Sequence, residues 1–227
     1  MADIEERREA MVHDQVAARG VTDIRVLDAM HMVPRERFVP NELVEYAYED
    51  APLPIEAGQT ISQPYIVALM LEAAEIQPDD HILEIGAGSG YAAAVMSRIA
   101  RSVHAIDRHE QLADPARERM AALGYDNVVI CAGDGTRGWP ENAPFDVILV
   151  AASAPVMPKP LGEQLAIGGR LVIPVGDAEE QRLIRVTRTG DDHYIEEDLG
   201  AVRFVPLIGE HGWRAERDDA AQPRERS

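Results

Sequence analysis

His81-Ile82-Leu83-Glu84-Ile85-Gly86-Ala87-Gly88-Ser89-Gly90 decides how this chain of 227 residues is read. The first half is a strand-like apolar run, the second a glycine-dense turn, and Tyr91 to Ala100 then supply helix. Glycine has no Cβ, so such a turn lets backbone N–H groups come close to a ligand. The following helix offers the positive end of its dipole at the same place. A turn of this kind holds a nucleotide-like cofactor; a plain strand-to-helix turn is the bland alternative. A dinucleotide fingerprint needs a third glycine three residues after the second, and that position is Tyr91. A phosphate-binding loop needs Gly-Lys-Ser/Thr next, which is absent here.

What remains, Glu84-x-Gly86-x-Gly88-x-Gly90, resembles the first motif of S-adenosylmethionine-dependent methyltransferases. The surrounding pattern supports a cofactor domain. From Asp80 onward strands and helices alternate at the period of βαβ units, so a mostly parallel sheet is expected. Strands are expected at Ser102 to Ile106, Asn127 to Cys131, Phe145 to Val150 and Arg170 to Val175. Helices are expected at Gln111 to Leu123, where Pro115 kinks or starts the helix, and at Leu161 to Ala166. Gly168-Gly169 reads as a turn, and Gln181 to Thr187 with Tyr194 to Val205 as a hairpin about Gly190-Asp191-Asp192. Asp107, 21 residues beyond Gly86 at a strand end, is placed to accept both hydroxyl protons of a ribose. Asp134, between Gly133 and Gly135, suits a hydrogen bond to an adenine amine.

Upstream, Asp3 to Arg19 reads as a helix stopped by Gly20, and a second helix capped by Thr22 or Asp23 ends at Pro34. Val33 to Pro40 reads as extended or turning, and Asn41 to Ile55 as irregular chain packed over something. Pro64 suits the first turn of a helix from Ile66 to Ala74, with Ser62 or Gln63 at its cap. On local sequence alone Ser62 is only that cap, a role that stabilises a helix by about 1 kcal/mol.

Forty acidic residues against 22 basic ones leave a net charge of −18. That argues against nucleic acid, whose phosphates bind clustered Lys and Arg. No apolar run approaches the roughly 20 residues of a membrane span, and the acidic start lacks the apolar core of a signal peptide. A cytoplasmic protein is expected, and a monomer. Cys131 is the only cysteine, which excludes an internal disulfide and a cysteine-cluster metal site.

Several blocks together resemble protein-L-isoaspartate O-methyltransferases, which repair damaged aspartyl and asparaginyl sites. They are Met11-Val12 with Ala18-Arg19-Gly20, Val33-Pro34-Arg35 with Phe38-Val39-Pro40, Tyr48-Glu49-Asp50, Leu53-Pro54-Ile55 and, most specific, Gly58-Gln59-Thr60-Ile61-Ser62-Gln63-Pro64. Beyond the glycine turn come Gly133-Asp134-Gly135, Gly138-Trp139-Pro140, Pro144-Phe145-Asp146, Gly168 to Gly176 and Arg203 to Leu207. The resemblance implies a Rossmann-like α/β methyltransferase fold, a doubly wound sheet with a C-terminal antiparallel hairpin. It implies an N-terminal helical cap over residues 1–78 and a cofactor core over 79–213; the stretch 214–227, charged and without apolar periodicity, reads as a disordered tail.

The same resemblance makes Ser62 the catalytic residue and Ile61, Ser62, Gln63 and Pro64 the substrate block. It makes Glu84, Gly86, Ala87, Gly88, Gly90, Asp107, Arg108, Asp134 and Gly135 the contacts of S-adenosyl-L-methionine, with no metal. The partner would be isoaspartyl-containing protein, methylated on its free α-carboxylate. The chain departs from the family in two respects. Asp107 stands where glutamate is common, and Ile208 and Trp213 where some members place polar residues. A carboxylate acceptor is ionised at neutral pH and needs no general base; placement and exclusion of water suffice. The competing readings are a methyltransferase for aspartyl carboxylates in a biosynthetic pathway, and a non-catalytic module that binds cofactor or isoaspartyl protein.

Lys159 is the only lysine. Abundant acid with almost no lysine suits a salt-adapted cytosol, where self-repulsion is screened; a GC-rich genome that encodes Arg for Lys is the alternative. Under the first reading the denaturation midpoint rises from dilute buffer to molar salt, and equal midpoints in the two would sink it.

Overall fold

A computed structural model describes residues 4–214. Seven strands form one sheet: β1 (His81–Ile85), β2 (Ser102–Asp107), β3 (Val128–Ala132), β4 (Phe145–Val150), β5 (Leu165–Gly176), β6 (Gln181–Gly190) and β7 (His193–Ala201). Their order is 3-2-1-4-5-6-7. The first five are parallel, and β6 and β7 run antiparallel at the end. The order reverses between β1 and β4, which is where open α/β sheets bind ligands, beyond the carboxyl ends of the strands. β1 pairs with β2 through Ile85↔Ile106 and with β4 through Ile85↔Val150, so these three strands end level.

Both faces of the central strands are covered, which is why they read as continuous apolar runs. Ile82, Val103, Val147 and Leu149 face one core with α3 (Pro64–Ala73), α4 (Tyr91–Ser97), α5 (Glu110–Leu123), α2 (Ile24–Met32) and Met11, Val12 and Val16, which follow the unburied α1 (Ile4–Ala10). Leu83, Ile85, Ile148 and Val150 face the other, with Leu161 of α6 (Lys159–Glu163) and Leu207. No helix among the described residues is long and apolar enough to cross a membrane.

The local signals hold in outline and shift in detail. The first helical run widens to a π-helix over Met11–Val16 and tightens to a 3-10 turn at Ala17–Arg19 before Gly20 (φ 104°). The wide turn brings Met11, Val12 and Val16 inward together. Asp23 caps α2, accepting from Arg25 N at 2.9 Å. Val33 to Pro40, expected as extended or turning chain, contains a 3-10 helix at Arg35–Phe38. Its three-residue period places Arg35 on the same buried side as Phe38.

Pro115 lies inside α5, which begins at Glu110. Helix α6 stops before Leu165, because Leu165 already pairs with Phe145. Gly168-Gly169 is a bulge within β5: its partners step from Leu165 to Arg170 while β4 advances from Phe145 only to Val147. The hairpin turns at Asp191-Asp192, and residues after Ala201 leave the sheet to cross the strand ends. The tail expected as disordered lies, from residue 215, outside the described residues.

One ion pair joins three parts of the fold. Arg170 Nη2 donates to Asp80 Oδ2 at 2.7 Å, with both side chains nearly buried. Arg170 also donates to the Ala74 and Glu75 carbonyls at the end of α3. Asp80→Ala leaves that guanidinium buried without its counter-charge and should lower the unfolding free energy by about 3–5 kcal/mol. Chemical denaturation checks this, and a loss within the scatter of surface substitutions contradicts it.

Candidate active site

The glycine turn is held by the end of β2. The Ile106 carbonyl accepts from both Gly86 N (2.8 Å) and Ala87 N (3.1 Å), and Asp107 Oδ2 accepts from Gly88 N at 2.8 Å. Gly90 N donates to the Ala87 carbonyl. The N–H groups expected to face a ligand are therefore largely engaged within the turn. What the glycines supply instead is backbone shape. Gly86, Gly88 and Gly90 have φ of 92°, 53° and 84°, a region that a Cβ disfavours.

A cleft of about 820 Å³, counted to its open mouth, lies over this turn. Glu84, Gly86, Ala87 and Gly88 line it together with Asp107, Arg108 and Gly135. Gly135 packs so tightly that a Cβ there would stand 2.5 Å from Ile85 Cγ2. Asp107 accepts from Gly88 N and His109 N. A carboxylate has about four acceptor positions, so capacity remains for two hydroxyl groups. The shaped backbone and this carboxylate fit an adenosyl cofactor.

Two of the expected cofactor residues lie elsewhere. Gly90 is at the start of α4, beneath Met120, rather than on the cleft wall. Asp134 caps a 3-10 turn: Oδ1 accepts from Thr136 N and Oγ1, and Oδ2 accepts from Glu210 N at 2.9 Å. Its carboxylate thus clasps the C-terminal loop. That loop contributes a wall the βαβ period could not show. Val205 to Ile208 line the cleft, anchored by main-chain bonds from Ser153 N to the Val205 carbonyl and from Leu207 N to the Ser153 carbonyl. Trp213 donates its indole N–H to the Ser153 carbonyl at 3.0 Å.

Gln59 to Ser62 form the opposite lip. Ile55 presses on the turn, with its Cδ1 3.5 Å from where a Gly88 Cβ would stand. Ser62 is not the cap of α3. Gln63 takes that position without a side-chain bond. Asp50 does the capping from a distance, accepting from Tyr65 N (Oδ1, 3.1 Å) and from Gln63 Nε2 (Oδ2, 2.7 Å), with Arg19 paired to Oδ2. The Ser62 hydroxyl is left without a hydrogen-bond partner among the described residues and lines the cleft with Ile61. Gln63 and Pro64 point away, into the Asp50 bond and the buried first turn. A cap supplied from 15 residues upstream has no signal in the local sequence.

This parallel sheet, with a shaped glycine turn and a strand-end acid beside one cleft, defines an α/β methyltransferase of the S-adenosylmethionine-dependent class. The family model "Protein-L-isoaspartate(D-aspartate) O-methyltransferase" matches residues 6–212, and the chain belongs to that family. It is 59% identical over 210 residues to protein-L-isoaspartate O-methyltransferase 2 of Pelobacter propionicus, covering 92% of this chain and 93% of that one. With the Rhodopseudomonas palustris protein-L-isoaspartate O-methyltransferase the identity is 55% over 217 residues, 95% and 100% of the two chains. A solved protein-L-isoaspartate O-methyltransferase superposes with TM-score 0.81 at 30% identity, over 90% of this chain and 67% of that one. A Plasmodium falciparum structure, described as a putative member in complex with S-adenosyl-L-homocysteine, gives 0.77 at 27%, over 88% and 98%.

Glu84 is 1% exposed, and its Oε2 is buried with no hydrogen-bond partner. Burial first, and the charge of Asp107 second, push its carboxyl well above the ordinary range. The folded state therefore retains a proton that the unfolded chain releases, and stability falls as pH rises above the ordinary carboxylate range. Glu84→Gln lacks this loss. Its denaturation midpoint relative to the parent should improve from pH 5 to pH 8, and a gap that stays constant or shrinks would refute the assignment.

Proposed function

We propose that this chain transfers the methyl group of S-adenosyl-L-methionine to the free α-carboxylate of L-isoaspartyl residues in damaged proteins and peptides. The observation that carries the reading is the freed hydroxyl of Ser62, a residue that lines the same cleft as the glycine turn. It stands in a chain that belongs to the isoaspartyl methyltransferase family. When bound, the cofactor supplies an electrophilic methyl on sulfur.

The residues of the chain do the rest by placement. Asp107 accepts the ribose hydroxyls, and Gly86 to Gly88 line the cleft together with Glu84, Arg108 and Gly135. Ser62 donates a hydrogen bond to the acceptor carboxylate and sets one of its oxygens in line with the methyl. Ile61 and the Val205 to Ile208 loop keep water from the same point. No proton has to be removed, because the acceptor is already an anion; orientation and dryness carry the rate. Asp134 supports the site through the C-terminal loop it holds. Gln63 and Pro64 support it through α3.

Labelled methyl transfer to a matched pair of isoaspartyl and aspartyl peptides tests the acceptor: transfer to the isoaspartyl member alone is expected, and preference for the aspartyl member overturns the reading. Ser62→Ala should lower kcat/KM for the peptide by about 10²-fold, the scale of a mispositioned reactant, with cofactor affinity unchanged. Asp107→Ala should weaken cofactor binding first, and an unchanged dissociation constant would remove its ribose role.

A further inference from the structure

Arg35 is fully buried and has no ion-pair partner among the described residues. Its Nε donates to the Ala47 carbonyl at 2.8 Å and its Nη2 to the Ser62 carbonyl at 2.9 Å. Nη1 has no hydrogen-bond partner. The guanidinium carbon lies 4.8 Å from the centroid of the Tyr91 ring. Tyr91 is the first residue of α4, directly after Gly90, and lines the cleft.

Three parts of the chain thus meet on one side chain: the Ala47 segment, the Ser62 lip and the end of the glycine turn. A buried guanidinium without a counter-charge costs several kcal/mol in desolvation. An apolar side chain of similar volume would fill the space without that cost. What it could not do is hold two diverging carbonyls on a rigid planar fork while stacking on an aromatic ring. Lysine, with a single ammonium on a flexible stem, could not do so either.

We infer that Arg35 is a positioning residue for methyl transfer, holding the Ser62 main chain in register with the Tyr91 end of the glycine turn. The inference rests on the reading of Ser62 given above. Arg35 touches neither donor nor acceptor in this scheme. Ser62 O is fixed by Arg35 on one side, while Asp50 fixes Gln63 and Tyr65 on the other. The hydroxyl between them therefore projects from a main chain gripped on both sides. A one-ångström displacement of a positioning group is enough to lower turnover about 10²-fold.

Arg35→Lys, Ser62→Ala and the double variant are compared by peptide kcat and KM, by the dissociation constant for S-adenosyl-L-homocysteine and by thermal melting. Arg35→Lys should stay folded at the assay temperature, bind S-adenosyl-L-homocysteine within about twofold of the parent and lose about tenfold or more in kcat/KM. The double variant should be no worse than Ser62→Ala alone, because residues that act as one unit are not additive. Singles that multiply in the double variant overturn the inference, as does equal loss of cofactor binding and turnover. Where Arg35→Lys does not fold, Arg35→Gln, which removes the buried charge and keeps a donor, answers the same question. Full turnover in whichever variant folds overturns it. Lowered turnover in Ser62→Ala with full turnover in Arg35→Lys removes the inference alone; full turnover in Ser62→Ala removes the reading beneath it as well.

Discussion

The Ile106 carbonyl accepts two amide hydrogens, from Gly86 and Ala87, and the rest of the site depends on that joint. It ties the end of β1 to the end of β2 and sets where the turn begins. Asp107, the next residue, takes a third amide of the turn through its side chain. One strand end therefore both shapes the cleft wall and presents the carboxylate that stands in it. With these bonds made inside the protein, the turn is rigid before any ligand arrives. Preorganisation of this kind removes an ordering cost from binding.

Around that joint the cleft is closed by chain from both ends of the sequence. Residues 53–62 come over the turn from the N-terminal side, with Ile55 against Gly88. Val205 to Leu207 cross from the C-terminal side on main-chain bonds to Ser153. Asp134, Thr136 and Trp213 hold this second strap. Neither strap belongs to the βαβ repeat, yet both face the point where donor and acceptor would meet. The chemistry asks for a dry slot and little else, and two straps over a rigid turn supply one.

Much of this was legible in order along the chain. The strand–glycine–helix stretch, the acid at the end of β2 and the parallel order follow from period and turn chemistry, because each depends on neighbours a few residues apart. What the folded chain adds is equally instructive. The turn's amides looked available because sequence shows glycines but not the Ile106 carbonyl beside them. Asp134 looked like an adenine contact because a strand-end acid between glycines suits one. Its oxygens also hold Thr136 and Glu210, 76 residues away, which no local pattern shows. Ser62 or Gln63 looked like the cap because a helix that starts at Pro64 puts both beside its first turn; the structure gives that place to Gln63 and the bond at Tyr65 N to Asp50.

By itself, then, the sequence determined the fold class, the cofactor class and, through the Gly58 to Pro64 block, the family. Those rest on local patterns that any fold of this chain must honour. Tertiary structure alone decided which side chains remain free. Whether Ser62 spends its hydroxyl on a helix end, whether Asp134 reaches the cleft, and why an arginine is buried at position 35 all turn on partners far away in the chain. Hydrogen-bonding capacity is finite at each atom, and it is allotted only once the chain has folded.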